Sequence, residues 1–205
     1  MPGNVDAMTM PSWVSAEESK PAPAPLLLVQ SFVNTRDLDL GTDLLAEAGP
    51  ATDWLRQSGL LGPAATIGPA DLRAAREARE GIRALLARNS RGSEPAAGDL
   101  CHLQAVAHAS QPRLTVSPAG QVRLHSGPDG RLADGLTGLL IIIRDAQRDG
   151  TWQRLKICGN DDCLWAFYDR SHSRRGAWCD MAACGNLIKN RNLRARRGSL
   201  IHPAG

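Results

Sequence analysis

The sequence is poor in aromatic residues and in histidine: five Trp, two Phe, one Tyr and five His in 205 residues. It has no glycine loop of the phosphate-binding kind, no nucleophile elbow and no helix with paired metal-binding histidines. His102 and His108 lie six apart in one helical stretch and share no face. His125, His172 and His202 are scattered, and His172 reads as an exposed loop residue. The chain therefore reads as a non-enzyme. Long apolar runs are missing too. The most apolar, Leu139 to Ile143, falls far short of the ~20 residues that span a bilayer. The first 25 residues hold Asp6, Glu17, Glu18 and a Pro-Ala run, with no basic segment before an apolar one. The expectation is a cytoplasmic protein with no membrane partner. Lysine is rare as well, three against 21 Arg, a coding bias that says little about function.

What is present is unevenly placed. Net charge is +3, yet residues 152–197 hold ten Lys or Arg against four Asp or Glu, and the remainder fourteen against seventeen. A basic end on an acidic body points to a polyanion partner. Hydrophobic residues make up 42% of the chain, enough for a core.

Residues 1–25 read as a flexible leader, because Pro21, Pro23 and Pro25 favour extended backbone and lack amide donors. Residues 26–151 read as a helical body. Leu26 to Asn34 suits a buried first helix, and Asp43–Gly49 and Thr52–Ser58 suit two short helical pieces. Asp71 to Asn89 carries Leu72, Ala75, Ala78, Ile82, Leu85 and Leu86 on one stripe, the mark of an amphipathic helix. Asp99–Ser110 is another helix, in which Cys101 is expected to be a buried core thiol. Arg113–Ser117 and Gln121–His125 alternate apolar and polar around Pro118-Ala119-Gly120, which predicts a small β-hairpin. Leu132–Arg148 is a buried helix closed by Gly150. Residues 152–197 form a separate module and 198–205 a tail. The fold class is mainly α with a small β-hairpin: an N-terminal helical domain plus a C-terminal four-cysteine zinc-binding module ending in a basic helix.

That module holds four of the five cysteines, Cys158, Cys163, Cys179 and Cys184, as two C-x4-C pairs. Two close thiol pairs in a short basic segment suit one tetrahedral Zn2+ ion, and four protein ligands leave no open position for catalysis. Disulfides, an iron–sulfur cluster and free thiols are the competing readings, with the cluster the main rival. Each pair carries the tripeptide Cys-Gly-Asn, at 158–160 and 184–186. Gly159 and Gly185 suit a knuckle that needs positive φ or close backbone approach. Trp165, Phe167, Tyr168 and Trp178 gather near the metal, either as a miniature core or as a platform for stacking bases.

Leu155-Lys156-x-Cys158, Trp165-x-Phe167-Tyr168-Asp169, Ser171-x-Ser173-Arg174-Arg175, Trp178-Cys179-x-Met181 and Cys184-Gly185-Asn186 together resemble the CGNR zinc finger. In the body, Phe32-Val33-Asn34-Thr35-Arg36, Trp54-Leu55 and Gly59-Leu60-Leu61 resemble the ABATE domain that precedes this finger in a family of stress-induced transcription regulators. The resemblance covers most of residues 26–197. It implies a zinc-dependent, DNA-binding bacterial transcriptional regulator whose N-terminal domain is a sensor or oligomerisation unit. One position departs: the Arg that follows Cys-Gly-Asn in the family is Leu187 here. Arg191, one helical turn on, is the candidate substitute, as a phosphate contact or as a structural residue beside the thiolates.

The candidate nucleic-acid contacts are Arg170, Arg174 and Arg175 between the cysteine pairs, and Lys189, Arg194, Arg196 and Arg197 on the exit helix. Arg and Asn on such a helix can read base edges in the major groove of double-stranded DNA while other cations meet phosphates. The alternative is an RNA-binding or protein-interaction zinc module attached to a small-molecule-binding domain. A small-molecule effector and a homodimer are the further expected partners.

Overall fold

The computed structural model describes residues 10–127 and 130–201, with the side chains of 192 and 195–201 outside the described residues. Residues 1–9 of the leader and 202–205 of the tail, His202 among them, also lie outside.

The body is a helical assembly around α1 (Leu26–Val33), whose Val29, Phe32 and Val33 are fully buried. After the short antiparallel pair β1 (Arg36–Asp37) and β2 (Thr42–Asp43) come α2 (Ala48–Gln57) and the long α3 (Pro69–Arg91). Pro69 occupies the first helical position of α3, where no amide is needed, and the Asp71 carboxylate accepts from the Gly68 amide at 2.8 Å. The stripe of Leu72, Ala75, Ala78, Ile82 and Leu86 faces the core. Next come α4 (Ala97–Ala109), the antiparallel hairpin β3 (Arg113–Val116) and β4 (Val122–His125), and α5 (Leu132–Asp149). Helix α3 packs on α4 and α1, and α5 closes against α1 and α4.

Three local expectations change. Of the expected helix Asp43–Gly49, only Ala48 and Gly49 are helical, as the start of α2. Asp43 ends β2, where Arg79 grips its carboxylate at 2.6 and 2.8 Å and the Leu45 amide bonds it at 2.8 Å. The helix that follows runs through Gly49-Pro50 without a break, because Pro50 sits in the first turn, where its missing amide is not missed. Cys101 is exposed rather than buried. Helix α4 buries Leu103 and Val106, and a residue two positions before Leu103 points away from that face.

The leader from residue 10 onward packs against the body. Buried Gln30 on α1 needs partners, and its side chain bonds the Ala22 amide at 2.6 Å and the Lys20 carbonyl at 3.1 Å. The Trp54 indole donates to the Trp13 carbonyl at 2.9 Å.

The core is also continuous across residue 151. Leu155 and Ile157 on β5 (Leu155–Ile157), with Ala166 and Tyr168 on β6 (Ala166–Tyr168), belong to the same cluster as Phe32 and Leu86. Asn89 near the end of α3 donates to the carbonyls of Trp152 and Leu155, both at 2.9 Å, and the Ser90 hydroxyl accepts from the Ile157 amide at 2.8 Å. On the other strand, Asn34 brackets Ala166, accepting from its amide at 2.7 Å and donating to its carbonyl at 2.9 Å. The β5–β6 hairpin is thus the floor on which the cysteine site is built.

Candidate metal centre and its basic surface

Strand β5 delivers Cys158, and the chain returns through Cys163 into β6. The Cys158 amide donates to the Trp165 carbonyl at 2.9 Å, which continues the hairpin ladder past the first ligand. Asn160 turns the chain: its carbonyl accepts from the amides of Cys163 and Leu164 at 3.0 and 3.1 Å. Its side-chain amide points at the Cys184 sulfur at 3.8 Å, a bond from the first knuckle to the second. In the second pair, Cys179 precedes a π-helical turn, Met181–Gly185, and Cys184 lies on it, just before α6 (Asn186–Ile201). The Asp180 carboxylate starts that turn by accepting from the Ala183 amide at 2.7 Å.

The two knuckle glycines answer to close approach, not to positive φ. A Cβ on Gly159 would lie 3.0 Å from the Trp178 indole and 3.1 Å from the Ala177 carbonyl oxygen. One on Gly185 would run into the Met181 sulfur and lie 3.1 Å from the same indole. Trp178 thus sits against both knuckles, and a side chain at either would push on it.

The sulfurs do converge. All four lie within 4.8 Å of one another, with Cys163–Cys179 at 3.7 Å and Cys179–Cys184 at 3.8 Å. A Zn–S bond of ~2.3 Å gives a tetrahedral edge of about 3.8 Å. A disulfide would need about 2.05 Å. The spacing is that of ligands around an ion. Side by side, the thiols oppose one another's ionisation. Cys163 is pushed up to about 12, chiefly by its hydrogen bond to Cys158, while Cys158 falls to about 2 as it accepts from Cys163 and Cys179. A dication is what lets all four be thiolates. The four cysteines are positioned to coordinate one Zn2+ ion as a closed structural site.

The loop between the pairs is built on a buried ion pair that spacing alone does not reveal. Lys156 and Asp169, 5% and 4% exposed, meet at 2.8 Å. Lys156 also donates to the carbonyls of Arg174 and Gly176, and Asp169 accepts from the Ser171 amide, the Ser171 hydroxyl and the Gly176 amide at 2.6 to 3.0 Å. Burial alone would raise the Asp169 pKa. The Lys156 ammonium and these donors more than reverse it and hold the carboxyl well below the usual carboxylate range. Lys156 is the middle residue of β5 and Asp169 follows the end of β6, so the two meet only when the strands pair.

The sequence-derived cations separate into two groups. Arg174 and Arg175 in the loop, and Lys189, Arg191 and Arg194 on α6, are exposed. Arg170 is exposed too, but its guanidinium donates to the Pro21 carbonyl at 2.9 Å. Arg196 and Arg197 lie on α6, and their side chains are outside the described residues. The Arg191 side chain is 73% exposed and lies 3.8 Å from Asp162, the residue before Cys163. Leu187 is 55% exposed and packs no apolar arc. A further cation braces the centre from the body, where Arg91 at the end of α3 donates to the Cys158 carbonyl at 3.1 Å and pairs with Asp161 at 2.6 Å. The aromatic choice resolves toward a core, since Trp165, Phe167 and Tyr168 are 8%, 1% and 8% exposed. No described helix is long and apolar enough to cross a membrane.

Two known families match along the chain. Residues 27–148 match the ABATE model, described as "Putative stress-induced transcription regulator". Residues 154–197 match the CGNR zinc finger. Neither is an enzyme family. No curated protein matches the chain. With more than half of its length matched by the first model and the converging cysteines inside the second, the chain belongs to the ABATE family and carries a CGNR zinc finger after the ABATE domain.

Proposed function

We propose that the chain is a zinc-dependent transcriptional regulator that grips double-stranded DNA with the basic loop and exit helix of its zinc module. The carrying observation is the exposure of the first half of α6. Among its described side chains, Asn186, Leu187, Lys189, Asn190, Arg191, Leu193 and Arg194 are exposed and Ile188 is half-buried. Exposed cations and amides on a helix face that its own protein leaves uncovered suit a partner. Its cations and those of Arg174 and Arg175 supply phosphate contacts, and Asn190 and the arginines supply base-edge donors. The ion's part is to hold the loop and the helix start at a fixed separation.

Base stacking on single strands is the weaker reading, because four of the module's five aromatic rings, Trp152, Trp165, Phe167 and Tyr168, are buried. The helical body then serves as sensor, pairing unit or both. Selection of bound duplexes from a random DNA pool, with zinc-loaded and chelated protein side by side, tests the reading. Enrichment of a common sequence by the loaded protein alone is expected. Equal recovery from both samples, or no enrichment, contradicts it.

A further inference from the structure

A cleft of about 270 Å³ lies where the leader crosses the body and meets the module. Its walls carry three of the chain's five tryptophans, Trp13, Trp54 and Trp165. They also carry Glu17, Glu18 and Asp37, and no Lys, Arg or His. The nearby leader cation is engaged elsewhere: the Lys20 ammonium donates to the Trp178 carbonyl at 2.7 Å and stands 5.2 Å over the Phe167 ring. Ser31 lines the cleft as well. It is only 6% exposed, and its hydroxyl has no hydrogen-bond partner among the described residues. Buried hydroxyls are normally satisfied, so an unpaired one beside a cavity is an open valence.

Burial pushes the Glu18 carboxyl up, and it already accepts from the Lys20 amide and Asn34, both at 3.1 Å, so the wall charge is carried by Glu17 and Asp37. Trp54 and Trp165 are buried and form the floor, while the half-buried Trp13 offers ring surface. Carboxylates with no countercharge on the wall, beside an indole, define a ligand chemistry. The carboxylates attract positive charge at range, and indole faces reward a cation lying over them. The apolar walls select an attached hydrocarbon. The volume falls just under the usual span of ligand clefts, ~300–1,000 Å³, which limits the guest to about one ring and a short chain. We infer that this cleft binds a small organic cation, an ammonium carrying an aromatic or alicyclic group.

The site is placed to be felt by the metal module. Trp165 is two residues from Cys163 and one from the Ala166 that Asn34 brackets. A second hollow, bordered by Cys163, Cys179 and Cys184, shares Glu17, Asp37, Leu40 and Trp165 with the cleft. The inference rests on the sensor half of the proposed function and deepens it.

Calorimetric titration of the zinc-loaded full chain tests it, with phenethylammonium as probe and phenylacetate and phenylpropanol as anionic and neutral counterparts. Saturable one-site binding of the ammonium is expected, about tenfold tighter or more than either counterpart. Glu17 is exposed and its carboxylate makes no hydrogen bond among the described residues, so Glu17→Lys reverses a wall charge without breaking a contact. That variant is expected to weaken the ammonium by about tenfold at an unchanged Tm. Ser31→Ala removes only an unpaired hydroxyl and is expected to fold normally and bind more weakly. Equal affinity for phenylacetate, no saturable ammonium binding, or full affinity in Glu17→Lys overturns the inference. DNA titrations on the same samples keep the two readings apart. Ammonium binding without DNA binding removes only the DNA reading, and DNA binding without ammonium binding removes only the cleft.

Discussion

At the scale of residues, the least expected organiser is the Lys156–Asp169 pair. It fixes the Ser171 to Gly176 segment, which carries Arg174 and Arg175, through bonds to backbone at both ends of that segment. Removing one partner leaves a buried charge alone, at a cost of about 3–5 kcal/mol. Asp169→Asn is therefore expected to lower chemical-denaturation stability by that order. The linkage has a definite sign. The Asp169 pKa is depressed in the folded protein, so its contribution is complete above the ordinary value of 3.8 and is lost as pH falls below it. Denaturant titrations between pH 3 and pH 7 check this: the wild type is expected to lose stability toward the acid end more steeply than Asp169→Asn. Leu187 supplies a second residue-scale test. It is exposed on the first turn of α6, where the family carries Arg. Leu187→Arg is expected to leave Tm unchanged, raise duplex affinity several-fold and steepen its salt dependence by about one counterion. Fluorescence anisotropy at several salt concentrations reads both effects. The cysteines and the knuckle glycines were legible in the sequence because metal chemistry imposes spacing. The ion pair was not, since its partners are thirteen positions apart and meet only when β5 and β6 pair.

At the scale of elements, the metal module consists of two unlike halves. Strands β5 and β6 are part of the main core, while α6 projects from a turn held by two ligands. Chelation is accordingly expected to loosen residues from about 176 onward while leaving β5, β6 and the helices protected. Hydrogen exchange on zinc-loaded and chelated protein checks this. Loss of protection throughout β5 and β6 would contradict it. The helices α1, α3 and α5 and the hairpin β3–β4 could be read from periodicity, because each has one apolar face or a clear turn. The split into Asp43–Gly49 and Thr52–Ser58 failed because a proline stops a helix only beyond its first turn, and Pro50 lies within the first turn of α2. Cys101 failed because α4 buries a narrow face of Leu103 and Val106 and leaves the rest to solvent.

At the scale of the whole molecule, the separate leader, body and finger suggested by composition share one core. Gln30, Asn34, Arg83 and Asn89 are the reason, since each extends from a body helix to the backbone of the leader or the module. Polar side chains that reach across a chain leave no periodic trace, so this integration was invisible in the sequence. Across β3–β4, Leu114 pairs with Leu124 and Val116 with Val122, and Leu114, Val116 and Val122 are 65 to 71% exposed. The hairpin's apolar positions therefore add little to the shared core. Leu114→Asp is expected to leave Tm unchanged in thermal denaturation.

The proposed function requires that an intact metal module present its charges to duplex DNA. The most direct measurement is anisotropy of a labelled duplex titrated with zinc-loaded full chain across a range of salt, for wild type and for Arg174→Ala/Arg175→Ala and Lys189→Ala/Arg194→Ala. Each cation removed from a phosphate is expected to flatten the plot of log affinity against log salt by about 0.9. Slopes shallower by up to about two units are therefore predicted in each double variant, with zinc content unchanged. Salt-independent binding, or wild-type slopes in both variants, would contradict the claim.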